Sequence, residues 1–145
     1  PQSCKINQGD VIKVNFGLIN GQKFTTRNAM PDGFTPVDFD ITYDCGDTSK
    51  IKNSLQMRID GTTGVVDQYN LVARRRSSDN VPDVGIRIEN LGGGVANIPF
   101  QNGILPVDPS GHGTVNMRAW PVNLVGGELE TGKFQGTATI TVIVR

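Results

Sequence analysis

From Phe134 to Val144 the side chains alternate between apolar and small or polar types almost to the end of the chain, where only Arg145 follows. A period of two belongs to a strand with one face on a core, and no helix sits still on such a pattern. A strand of this kind either lies inside a sheet or offers an unpaired edge to another polypeptide. That demand governs the whole reading.

The rest of the chain fits an all-β class. Among 145 residues there are 18 Gly and 8 Pro, and 37% are hydrophobic, enough for one domain, taken here as residues 1–145, with a real core. Alternation recurs at Ile12, Val14, Phe16 and Leu18, and again at Val37, Phe39, Ile41 and Tyr43. Further runs are Leu55, Met57 and Ile59, closed by the turn dipeptide Asp60-Gly61, and Val84, Ile86 and Ile88, ended by Gly92-Gly93-Gly94. A fifth run starts at Val115, Met117 and Ala119 and is expected to bulge or bend at Trp120-Pro121, because Pro has no ladder donor. Polar loops are expected over 21–36, 74–82 and 101–113. Strands punctuated by turns in one domain suggest a β-sandwich. With Trp120 the only Trp and none between the cysteines, the antibody version is disfavoured.

Charge and chemistry narrow the function. Fourteen basic residues balance fourteen acidic ones, so no general field attracts nucleic acid or an anionic membrane, and no apolar run is long enough to span a bilayer as a helix. Two cysteines, Cys4 and Cys45, in an all-β chain suggest an oxidised bridge and a periplasmic or extracellular compartment, with two reduced buried thiols as the alternative. No basic-then-apolar leader opens the chain at Pro1, so any secretory signal is expected to have been removed already or to lie outside this sequence. His112 is the sole histidine and sits in a Ser-Gly-His-Gly loop context, too little for a tetrahedral metal shell or a catalytic pair. No serine lies in a nucleophile elbow, and no phosphate-loop Lys follows Gly92-Gly93-Gly94. The run Arg74-Arg75-Arg76 reads as a solvated segment balanced by Asp79 and Asp83 in preference to an anion site. Asp38 and Asp40, which with Asp44 and Asp47 could suggest calcium, read as the solvent face of their strand. The expectation is therefore no catalytic residue, no metal and no cofactor.

Four stretches together resemble the pilin subunits of bacterial chaperone–usher fimbriae: 1–6, 39–45, 84–88 and the C-terminal segment. The last is the most specific. Gly132 stands fourteenth from the end and the alternating strand follows it, with Val144 where the family commonly has a penultimate Tyr. The resemblance covers essentially the whole chain and implies an incomplete immunoglobulin-like β-sandwich, lacking its seventh strand and completed by a donor strand, which fills a groove bordered by the first and last strands. Strand addition between chaperone and pilin is itself a named example of recognition by sheet extension.

The implied partners are a periplasmic pilus chaperone, neighbouring pilus subunits and an outer-membrane usher, without nucleic acid and without membrane insertion. The implied location is the periplasm during assembly and the extracellular fimbrium afterwards, where the organelle supports cell adhesion. By position, Gly132, Phe134, Gly136, Ala138, Ile140, Val142 and Val144 would form the donor-strand and chaperone-binding strand, with the carboxylate of Arg145 as the chaperone's anchor. Covering even ~500 Å² of apolar groove at about 25 cal/mol per Å² is enough to decide whether a domain folds. Only Pro1-Gln2-Ser3 precede Cys4, where an ordinary pilin has a longer extension. The chain is thus expected to receive a strand without giving one, either as a subunit lacking its extension or as the pilin domain of a two-domain tip adhesin. The competing reading is a free-standing extracellular carbohydrate-binding module that uses Arg74 to Arg76 or the loop around His112.

Overall fold

The computed structural model describes residues 4–6, 11–47, 56–61, 65–92, 98–100, 103–130 and 133–144. Its strands are β1 (Lys5–Ile6), β2 (Val11–Asn20), β3 (Val37–Asp44), β4 (Gln56–Gly61), β5 (Val65–Asp67), β6 (Asn70–Arg75), β7 (Pro82–Asn90), β8 (Gly103–Pro106), β9 (His112–Asn123) and β10 (Lys133–Val144). A 3₁₀ turn, Gly21–Lys23, is the only helical element among the described residues, so none of these holds a helix long and apolar enough to cross a membrane. The strands form two antiparallel sheets, a six-stranded one in the order β1-β3-β9-β7-β6-β5 and a four-stranded one in the order β2-β10-β4-β8.

The core lies between the sheets, where strands of both turn apolar residues inward. Ile41, Tyr43, Ile86, Ile88, Met117 and Ala119 come from the six-stranded sheet, and Ile12, Val14, Phe16, Met57, Ile59 and Leu105 from the four-stranded one. The expected phase holds along β3, where Asp38 and Asp40 are exposed and Ile41 and Tyr43 are buried. Cys4 and Cys45 form a disulfide that ties the start of β1 to the end of β3.

Several local expectations are corrected. Leu18 points outward at 72% exposure and Ile19 is buried instead, because a bulge at Phe16-Gly17 shifts the phase of β2. Asp60 and Gly61 belong to the end of β4 and not to a turn, and Leu55 and Gly93-Gly94 fall outside the described residues. No register shift interrupts β9 at Trp120-Pro121: Arg87 to Trp120 and Ile86 to Pro121 are successive pairs. Pro121 is tolerated there because β3 starts opposite Ala119, so the ladder on that flank has already ended. Arg74 and Arg75 lie on β6 and not in a loop, and His112 opens β9. The short strands β1, β5, β6 and β8 carry too few alternating residues to stand out in the sequence.

Candidate functional site: the seam between the first and last long strands

The C-terminal strand is an interior strand of its sheet. On one flank β10 pairs with β2 from Lys133 opposite Asn20 to Thr141 opposite Val11, and on the other it pairs with β4 from Ile140 opposite Gly61 to Val144 opposite Met57. Only Ile140 and Thr141 are therefore paired on both sides. The first and last long strands thus lie directly side by side, and the groove that the family resemblance implies between them is closed by this ladder in the isolated chain.

Each expected site residue has a defined place or lies beyond description. Phe134 is opposite Ile19, Gly136 opposite Gly17, Ala138 opposite Val14, and Ile140 opposite Ile12. Val142 and Val144 are opposite Ile59 and Met57 of β4. Gly132 and Arg145 fall outside the described residues. On the facing strand Ile12, Val14, Phe16 and Ile19 are 3%, 3%, 8% and 4% exposed, so β2 fills its side of the seam with core side chains.

Sequence reasoning on the final strand missed this partner. The signal was available in the interval between Phe16 and Ile19, which an unbroken period of two cannot bury on one face. Gly17 resolves that interval with φ of 74° and an amide that donates to Asn15 Oδ1 at 2.8 Å. This is the left-handed conformation that a glycine bulge requires.

The end of the seam where Asn20 meets Lys133 is held by other parts of the fold. Beyond Asn20, whose side chain caps the 3₁₀ turn, Gly21 packs against the Glu130 backbone so closely that a Cβ would collide with the Glu130 carbonyl oxygen. The Leu129 amide donates to the Gly21 carbonyl at 3.2 Å. The segment that leads into β10 is shaped by Asn123, a fully buried side chain. Its Oδ1 accepts from the amides of Val125 and Gly126, and its Nδ2 donates to the Gly127 carbonyl at 2.7 Å. Left-handed Gly126 and Gly127 complete the turn. Glu130 then reaches the hairpin between β6 and β7, where its Oε1 accepts from the amide of Ser77 at 2.5 Å and from its hydroxyl at 2.8 Å. The Ser77 side-chain bond, with the Ser77 amide behind it, holds the Glu130 carboxyl below its ordinary range.

The arginine run supports this hairpin. Arg74 makes a two-pronged bond to Asp83, Nε to Oδ1 at 3.0 Å and NH2 to Oδ2 at 2.5 Å, with the carboxylate fully buried. Arg76 grips Asp79 in the same way and holds that carboxyl low, while Arg75 donates to the Asn80 carbonyl. The expected balance with Asp79 and Asp83 is present, but Asp83 is buried and not solvated. On the outer face of the six-stranded sheet Arg118 bonds Asp38 and holds its carboxyl low. Among the described residues, no group of three or more His, Cys, Asp or Glu gathers as a metal shell would. A cleft of about 400 Å³ at one end of the sandwich is lined by residues that include Tyr43, Asn90, Asp108, Thr114 and Asn116, and none of Arg74, Arg75, Arg76 or His112 borders it.

Comparison with known proteins agrees with this architecture. A family model described as "Fimbrial protein" matches residues 1–145. The fimbrial-like protein YraK of Escherichia coli strain K12 is 99% identical over all of this chain, which covers 40% of that protein. The type 1 fimbrin D-mannose specific adhesin of Salmonella typhimurium is 27% identical over 98% of this chain and 41% of its own length. The chain therefore spans about two-fifths of these two relatives. Among solved structures, a Burkholderia pseudomallei antigen and type I fimbria protein superposes with a TM-score of 0.55 at 13% identity, covering 97% of this chain and 99% of that one. The P pilus rod subunit PapA gives 0.51 at 12% identity over 77% and 72%. The CupB6 tip adhesin of Pseudomonas aeruginosa gives 0.51 at 15%, over 99% of this chain and 43% of that one. At these identities the structures speak to the fold, an immunoglobulin-like sandwich of the pilin type.

Proposed function

Because this chain belongs to the fimbrial protein family, we propose that it is a pilin domain of a chaperone–usher fimbria that accepts an extended strand from a partner alongside β10 and supports adhesion through the assembled organelle. The observation that carries this reading is the arrangement of β10. Its apolar alternation continues to Val144, yet its neighbour β2 ends opposite Thr141 and has no strand on its own far side among the described residues. A sheet that is completed on one flank by a strand with no other strand partner can exchange it for another at the cost of a single ladder.

In the periplasm the partner is a pilus chaperone, with the usher and neighbouring subunits following, and Arg145 is the residue at which the chaperone's basic side chains would anchor the strand. Gly132, Phe134, Gly136, Ala138, Ile140, Val142 and Val144 form the accepting strand. Between a shaft subunit and the pilin part of a longer adhesin, the match to two-fifths of a D-mannose specific adhesin favours the second.

The test is capture by a fimbrial chaperone co-expressed in the periplasm. Wild-type chain is expected to copurify with the chaperone, and Ile140→Asp and Val142→Asp are expected to lose capture, because a charge on the apolar face of β10 is desolvated without a partner. Unchanged capture of both variants would refute the assignment of β10.

A further inference from the structure

We infer that the cleft of about 400 Å³ at the end of the sandwich, where β7 stops beside β9, is a binding site for a single neutral hexopyranose ring. This goes beyond the proposed function and does not depend on it, since none of the residues lining the cleft belongs to β2 or β10.

The topology builds the cleft by ending one strand early. Over 112–116, β9 stays in register with β3 on one flank, while on the other flank β7 reaches only to Asn90 opposite Met117. The Leu91 amide donates to the Asn116 carbonyl at 2.9 Å, so this carbonyl turns toward the β7 flank. The two-residue repeat of a strand turns the amide and carbonyl of Thr114 the same way, beyond the last β7 partner. Backbone groups in that position take a hydrogen bond from water or from a ligand.

The floor carries a buried donor. Tyr43 is 4% exposed and lies opposite Gly113, where a Cβ would stand 2.9 Å from the Tyr43 hydroxyl oxygen, so the missing side chain makes room for the ring. The hydroxyl oxygen accepts from the Asp108 amide at 2.7 Å. Its own proton meets no acceptor among the described residues, and a buried hydroxyl at the base of a cleft calls for one. Beside it the Asp108 carboxylate supplies the opposite function. The Ser110 amide donates to its Oδ1 at 2.8 Å and holds the carboxyl below its ordinary range, so it presents acceptor lone pairs. The carboxamides of Asn90 and Asn116 and the Thr114 hydroxyl, which each combine donor and acceptor, complete the polar lining.

This inventory selects the ligand. An anion would face the Asp108 carboxylate with no Lys or Arg in the lining. An ammonium ligand is donor-only and could not accept from Tyr43, and an apolar ligand would desolvate both Tyr43 and Asp108 without a partner. A pyranose ring carries hydroxyls that each donate and accept, and its C–H faces suit the apolar part of the lining at Val107 and Val115. The volume lies within the roughly 300–1,000 Å³ of small-molecule sites.

The experiment titrates the 145-residue chain, labelled with nitrogen-15, with the methyl glycosides of D-glucose, D-galactose and D-mannose, and with methyl D-glucuronide as the anionic counterpart. At least one neutral glycoside is expected to shift the amides of Leu91, Asp108 and Thr114 together, with Kd on the order of 1 mM. The glucuronide should bind at least about tenfold more weakly, because its carboxylate enters beside Asp108. Gly92 borders the cleft, its φ lies outside the left-handed region, and a Cβ there meets nothing nearer than Asn90 Oδ1 at 3.7 Å. Gly92→Phe should therefore fold and obstruct the cleft, weakening binding about tenfold or more. Tyr43→Phe, which removes the donated hydrogen bond, should weaken it about threefold to tenfold. Should that variant lose its dispersed amide spectrum, Thr114→Val on the exposed wall tests the same network by the same readout. Absence of the shifts with all three neutral glycosides, wild-type affinity in Gly92→Phe, or glucuronide bound as tightly as the neutral sugars overturns the inference.

Discussion

At the scale of single residues, the most consequential group is the Asp83 carboxylate, buried at 0% exposure and answered by both prongs of Arg74. A buried pair of this kind contributes little net stability compared with apolar residues of the same shape, but removal of one partner strands the other charge. Arg74→Met is therefore expected to destabilise the chain by about 3–5 kcal/mol in urea unfolding, and Arg74→Met/Asp83→Leu to recover much of that loss. A double variant no more stable than the single one would show that the guanidinium acts through other contacts. Gly21 makes a different demand, on space. Any Cβ there meets the Glu130 carbonyl oxygen, and since the Cβ is fixed by its bond to Cα and the oxygen belongs to the backbone, neither can rotate away. Gly21→Ala should cost about 1–3 kcal/mol, the usual range for overpacking. The loss should appear as faster amide exchange in β2, because Gly21 fixes its C-terminal end.

At the scale of elements, the β6–β7 hairpin and the lead-in to β10 are joined by a titratable latch. The Glu130 carboxyl is held low by its bonds from Ser77, so its folded pKa lies below the ordinary 4.5. A depressed carboxylate stabilises the fold above its unfolded pKa, and that contribution disappears as pH falls below about 4.5 and through the folded value. Asp79, held low by Arg76, acts in the same direction from its ordinary 3.8 downward. Melting temperature should thus fall between pH 5 and pH 3, and by less in Glu130→Gln, which keeps an acceptor for Ser77 but has no charge to lose. An equal fall in both proteins would remove the latch from the account. The elements themselves were unequally legible. Alternation alone marked the long strands, including β3 and β10, because each carries apolar residues at a period of two. In β2 the same rule put Leu18 inside, since a bulge allowed by one positive φ at Gly17 is invisible to a period of two. The straight passage of β9 through Pro121 was equally hidden, because it depends on where β3 begins.

At the scale of the whole molecule, the six-stranded sheet holds its N-terminal edge covalently while the four-stranded sheet holds its own edge by one ladder. The sandwich class was readable from composition and spacing. The partition into sheets was not, because it depends on pairings between residues far apart in the chain, such as Ile12 with Ile140 and Ile41 with Val115. The disulfide connects these two facts. Cys4 and Cys45 are separated by 41 residues, and the chain-entropy estimate for closing a loop of that size is about 4 kcal/mol. Within that loop the chain leaves the six-stranded sheet after β1, runs through β2 in the other sheet and returns to β3. The bridge therefore restricts how far β2 can wander from its seam in every state of the chain. With total stabilities of domains near 5–15 kcal/mol, Cys4→Ser/Cys45→Ser should fold marginally or only with an added strand. Where it does fold, amide exchange in β2 should accelerate more than in β9, which stays paired on both sides by β3 and β7. Uniform acceleration across both strands would mean that the bridge stabilises the sandwich as one cooperative unit and gives β2 no separate protection.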